Sequence, residues 1–98
     1  MNVNKEEIIK ILKEFKNKFS EKYGILQIGL FGSVARGDNT DSSDIDVFIS
    51  VKFSNLILLS RIRQELEDKT HSRVDLIQYR EKMNQFLKSR IDQEGIYV

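Results

Sequence analysis

Residues 32–46 read GSVARGDNTDSSDID and follow directly on the apolar run ILQIGLF at 25–31. Small residues fill the front of the stretch, while its back carries Asp38, Asp41, Asp44 and Asp46 with only Arg36 among them to offset the charge. Gly32 ends the apolar run, where a glycine opens backbone torsions closed to other residues and lets a ligand approach closely. If Ser33 opens a helical turn, free N–H groups and its hydroxyl face an anion, and Arg36 adds charge-assisted bonds. A Gly-Ser turn after a strand is common and is equally a structural device. The aspartates weigh against that bland reading. Asp44 and Asp46 stand two residues apart at the start of the next apolar segment, so on a strand both project from one face, about 7 Å apart at Cα. Unpaired carboxylates so placed repel, and a divalent cation resolves the repulsion.

The rest of the chain supplies a frame for this loop. Ile8, Leu12, Phe15 and Phe19 recur at helical spacing between Lys5 and Tyr23, with Asn4 and Glu7 as a capping-box pair and Gly24 as the stop. Ile25–Phe31 reads as a strand. In 45–51, Ile45, Val47, Ile49 and Val51 fall on one face and Asp46, Phe48 and Ser50 on the other. A helix is expected from Leu56 to about Asp68 with Ser54 as N-cap, then a strand over 73–78, RVDLIQ, that carries Asp75. Helical spacing returns with Met83, Phe86, Leu87 and Ile91, and Gly95 halts it before a short strand or tail, IYV. Phe15, Phe19 and Phe86 are expected in the core. Helix, strand, loop, strand, helix, strand, helix is an α/β (α+β) order in which helices cover one side of a small sheet.

Composition narrows the chemistry. At 98 residues the expectation is one domain over 1–98, without linker or repeat. A net charge of +1 gives no basic field to hold nucleic acid or an anionic membrane. No apolar run approaches a membrane span or a signal-peptide core, so a soluble cytoplasmic protein is expected. With no cysteine and His71 as the lone histidine, disulfides and a His/Cys zinc site are out. Hard carboxylate oxygens instead suit Mg²⁺, which binds through a few carboxylates, water and substrate phosphates. Asp44, Asp46 and Asp75 beside a phosphate loop thus form a kit for two-metal nucleotidyl transfer. Asp38 and Asp41 read more simply as turn formers. A pairing of Asp75 with Arg73 is the bland alternative for the third acid.

Taken together, GSVARGDNTDSSDID, VFISV at 47–51 and VDLI at 74–77 resemble the minimal nucleotidyltransferases of the DNA polymerase β-like superfamily, whose signature is a Gly-Ser loop followed by an Asp-x-Asp strand. Gly32, Ser33, Ala35, Arg36, Gly37, Ser43, Asp44, Ile45 and Asp46 carry the match, which extends over nearly the whole chain. The resemblance implies a nucleotidyltransferase palm with a small mixed sheet. It implies that Asp44 and Asp46 hold two Mg²⁺ ions, while Asp75 completes the triad and helps deprotonate the acceptor hydroxyl. Gly32 and Ser33 would bind the triphosphate of ATP, supported by Arg36 and Ser43. Small members of the family pair as antitoxins with a HEPN-domain ribonuclease and silence it by transferring AMP to a tyrosine. DNTDSS lacks the proline often found before the Ser-Asp pair, which loosens the loop without removing a chemical group. Larger relatives carry a second domain for the acceptor, so another protein or a second copy would complete that site here. Two other readings stay open: an antitoxin that neutralises by docking alone, for which the consecutive Leu56–Leu59 offer a surface, and a small-molecule nucleotidyltransferase subunit.

Overall fold

A computed structural model describes residues 4–98 of the chain. Helix α1 (Lys5–Tyr23) begins where Asn4 Oδ1 accepts the backbone N–H groups of Glu6 and Glu7, and ends at Gly24 in the left-handed region. Strand β1 (Ile25–Phe31) runs straight into a five-residue helix, α2 (Gly32–Arg36), and the aspartate loop leads to β2 (Ile45–Val51). Then come α3 (Leu56–Thr70), β3 (Val74–Gln78), α4 (Gln85–Glu94) and the two-residue β4 (Ile96–Tyr97).

The strands form one sheet in the order β3-β2-β1-β4. β1 pairs antiparallel with β2 and β4, and β2 pairs parallel with β3 across the α3 crossover. The expected α+β architecture with a small mixed sheet is what the chain adopts. Alternation along β2 divides its side chains as the sequence indicates. Ile45, Val47 and Ile49 pack with Ile8, Leu12 and Phe15 of α1 and Ile62 and Leu66 of α3 in the main core. Phe48 points the other way and is buried with Phe31 of β1 and Ile91 of α4 in a second, smaller cluster. The main helical layer, α1 with α3, thus lies on one side, and α4 adds a patch over the face that also carries Asp46.

Two local expectations are corrected. The N-cap of α3 is Asn55, whose Oδ1 accepts from Ile57 and Leu58 N–H, whereas the Ser54 hydroxyl donates to Gln78 Oε1. Phe86 is not core: it is 74% exposed. The helix explains why, since Phe86 sits about 140° round from the buried Ile91 and Leu87 only about 40°. Phe19 is partly buried against the main core, and Phe15 fully so.

α3 ends differently from α1. Its last residue is followed by His71 at φ 54°, the one non-glycine with positive φ among the described residues. An L-residue there pays about 1–2 kcal/mol of left-handed strain, partly offset by the greater chain entropy glycine loses on folding. We expect His71→Gly to raise stability by about 0.5–1 kcal/mol and Tm by about 4 °C, read by thermal melting. An unchanged or lower Tm would show that the imidazole makes compensating contacts. Among the described residues no helix is long and apolar enough to cross a membrane.

Candidate active site

The site begins at the β1–α2 junction. Phe31 is the last residue of β1 and is buried; Gly32 turns the chain with φ +77° into α2. Gly37 closes that helix, with the Gly37 and Asp38 N–H groups both donating to Ser33 O. Ser33 therefore stands in the first turn of a real helical segment, as its sequence setting suggests. In the first turn the backbone N–H groups lack intrahelical acceptors.

β2 brings the acids to this junction. Asp46 is opposite Phe31 on one side and opposite Asp75 of β3 on the other. Its carboxylate lies directly over Gly32: a Cβ built on that glycine would land on the Asp46 oxygen. Any residue but glycine would fill the space between the turn and the carboxylate. Burial pushes the Asp46 carboxyl above its usual range, the neighbouring Asp75 adds to the rise, Arg90 opposes it, and Asp44 and Arg36 act more weakly. Asp44 is exposed just ahead of the strand, with Arg73 Nε 3.9 Å from its Oδ1. That contact disposes of the Asp75–Arg73 pairing weighed from sequence. Asp75 is exposed on the edge strand, and its carboxylate has no ion pair or hydrogen bond among the described residues.

Register thus aligns Gly32, Asp46 and Asp75 across three adjacent segments, with Asp44 at the near end of β2. Among the described residues no three His, Cys, Asp or Glu side chains converge tightly enough to hold a metal ion unaided. The donor set is nonetheless the one Mg²⁺ takes: hard oxygens from two or three carboxylates, completed by water and substrate phosphate. Glycine at position 32 lets the Asp46 carboxylate sit against the turn, beside the backbone N–H groups of α2.

The supporting residues behave differently from one another. Ser43 fastens the loop: its hydroxyl accepts the Thr40 N–H at 2.9 Å, and its own N–H donates to Thr40 O. Asp41 lies in that turn, and Asp38 accepts from Arg36 Nε at 3.0 Å, so both serve the loop as expected of turn formers. Arg36 is also tied to α4, donating from Nη1 to Glu94 Oε2 at 3.0 Å. Three charged groups near the acids escape a reading of the loop alone: Arg73, Arg90 and Glu94. The Arg90–Glu94 spacing resembles an ordinary surface pair on a helix, and only the placement of α4 over the Asp46 face gives it a further meaning.

With this geometry in hand, comparison with known proteins is direct. The nucleotidyltransferase domain family matches residues 12–98. The protein adenylyltransferase MntA of Thermococcus cleftensis is 34% identical over 98 residues, spanning 95% of this chain and 94% of its own. A relative from Methanocaldococcus jannaschii, assigned the same activity, is 36% identical over 93 residues and spans 94% of this chain and 95% of its own. A toxin–antitoxin crystal structure with AMP-PNP superposes at a TM-score of 0.71 with 26% identity, over 97% of this chain and 72% of that one. This chain is a nucleotidyltransferase and belongs to the nucleotidyltransferase domain family.

Proposed function

We propose that this chain, as a single cytoplasmic domain, is the antitoxin of a toxin–antitoxin pair and transfers AMP from ATP to a tyrosine hydroxyl of a HEPN-domain ribonuclease. The observation that carries the chemistry is the register of Asp46 with Asp75, with the Asp46 carboxylate seated against Gly32. The reading of the partner is supported by relatives named protein adenylyltransferases and by the similar toxin–antitoxin structure with AMP-PNP. Gly32 and Ser33 receive the triphosphate, and Arg36 flanks it from the far end of α2. Asp44, Asp46 and Asp75 would hold Mg²⁺, which would supply charge neutralisation for the transfer. Asp75, on the exposed edge, accepts the proton of the incoming hydroxyl. The acceptor oxygen bonds to the α-phosphorus as the bond from that phosphorus to the β-bridging oxygen breaks, and pyrophosphate leaves. Ser43 contributes by fixing the loop that presents Asp44.

The test is label transfer from α-³²P-ATP with Mg²⁺, using the purified domain together with its HEPN partner. We expect label on the partner and its loss in Asp44→Asn, which keeps the fold. Absence of label with any of the four nucleotides, with Mn²⁺ as well, would overturn the enzymatic reading. One observation favours docking as a second contribution: Phe53, ahead of α3, and Leu56 and Ile57 in its first turn are 82%, 83% and 76% exposed. If docking alone suffices, cells carrying the Asp44→Asn domain remain protected from the toxin.

A further inference from the structure

Helix α4 carries an arginine that no step above uses. Ile91 anchors the helix into the cluster of Phe31 and Phe48, which are the last residue before Gly32 and the next residue along the Asp46 face of β2. Arg90, beside Ile91 in sequence, stands one turn before Glu94, whose Oε2 also binds Arg36 at the end of α2, so the helix brings it to the loop helix that follows Gly32. Its guanidinium is poorly used by the protein. The nearest anion is Glu94 Oε2, 3.8 Å from Nη2, too long for a hydrogen bond, and its side chain is 38% exposed. The same Glu94 oxygen already accepts from Arg36 Nη1 at 3.0 Å. One carboxylate oxygen thus faces two guanidiniums and satisfies one of them.

Such an arrangement leaves Arg90 with unspent donors beside the Arg36–Glu94 pair at the end of α2. An arginine offers five N–H groups in a rigid fork suited to phosphate oxygens, and leaving them unfilled at a half-buried site is unfavourable. We infer that Arg90 is a nucleotide-binding residue whose guanidinium engages the polyphosphate of the bound nucleotide, with Glu94 acting as a positioning residue that holds Arg90 and Arg36 side by side. This rests on the nucleotide-site reading above. It assigns α4, the last helix, to substrate binding, and it answers the excess of acid in the loop with a cation from elsewhere in the fold.

The experiment measures the Kd of AMP-PNP with Mg²⁺ for the parent, Arg90→Gln and Arg90→Lys, alongside thermal melts and competition by tripolyphosphate. We expect Arg90→Gln to weaken AMP-PNP binding about 10–100-fold, as for a lost charge-assisted contact, with tripolyphosphate losing a similar factor. Arg90→Lys, which keeps a point charge but not the fork, should recover part of the loss. Parent-like binding in Arg90→Gln overturns the inference, and so does a loss confined to AMP-PNP, which would place Arg90 on the nucleoside. Should Arg90→Gln unfold, Arg90→Lys decides: weakened binding at unchanged Tm supports the contact, and parent-like binding refutes it. Asp46→Asn provides the separation from the wider reading. If the parent binds nucleotide and Asp46→Asn loses transfer while Arg90→Gln binds normally, only the Arg90 assignment fails. If the parent binds no nucleotide at all, both fall.

Discussion

Asp46→Asn should lower adenylyl transfer by about 10³-fold or more while leaving a folded domain that, without divalent ions, melts at or above the parent's temperature. The first half follows from chemistry. A carboxamide keeps the shape but not the charge, so the group proposed to share a cation with Asp44 and Asp75 is lost, and such groups act as a unit. The second half follows from the electrostatics of the protein's own groups. Asp46 is half-buried and is opposed to Asp75, which together raise its pKa. A raised carboxyl binds its proton more tightly in the folded state than in the unfolded one. Its contribution to stability is therefore full below the unfolded value of about 3.9 and is lost as pH rises through the higher folded value. At neutral pH the charged form is a net penalty, and asparagine removes it. With Mg²⁺ and AMP-PNP the order should reverse, because ligand at about 100 times its Kd stabilises the parent by about 2.7 kcal/mol and the variant gains little. Melts with and without ligand, over pH 4–8, check both halves. A variant less stable than the parent in ligand-free buffer would mean that Asp46 makes a stabilising contact.

How far the sequence reveals this site depends on the range of the forces involved. Strand alternation and helical spacing are local, so β1, β2, α1 and the Asp44–Asp46 pair are legible from neighbours alone. Asp75 is legible because an acid inside VDLI contradicts its apolar surroundings, although it turns out to be on the exposed edge of the sheet. Its register with Asp46 needs the parallel β2–β3 pairing, which no local pattern gives. Phe48 shows the limit well. Flanked by Asp46 and Ser50, it reads as part of a polar face, yet it is fully buried because α4 folds back over it. The same tertiary event brings Arg90 and Glu94 to the acids, so the loop's own lone Arg36 understates the positive charge available. Asn55 outcompetes Ser54 as cap of α3 for a simpler reason: adjacent capping residues differ by one position, and only the path of the loop selects between them.

Gly32→Ala should destabilise the domain by about 2–3 kcal/mol and remove most of the transfer activity. Two effects combine. At φ +77° an alanine takes on about 1–2 kcal/mol of left-handed strain. The added methyl would also fall on the Asp46 carboxylate oxygen, so that side chain must swing away from its place beside Asp75. Gly37 separates the two effects, since it has φ +84° but nothing within 4 Å of a built Cβ. Gly37→Ala should therefore show the strain without the collision, at about 1 kcal/mol, and retain most of the activity. A double variant then tests the collision itself. In an Asp46→Ala background the methyl on residue 32 meets no carboxylate, so Gly32→Ala should cost about as much as Gly37→Ala does in the parent. That non-additivity, read from denaturant midpoints, is the coupling expected of side chains in contact. If Gly32→Ala costs the same with and without Asp46, the glycine serves the turn alone and plays no part in seating the Asp46 carboxylate against it.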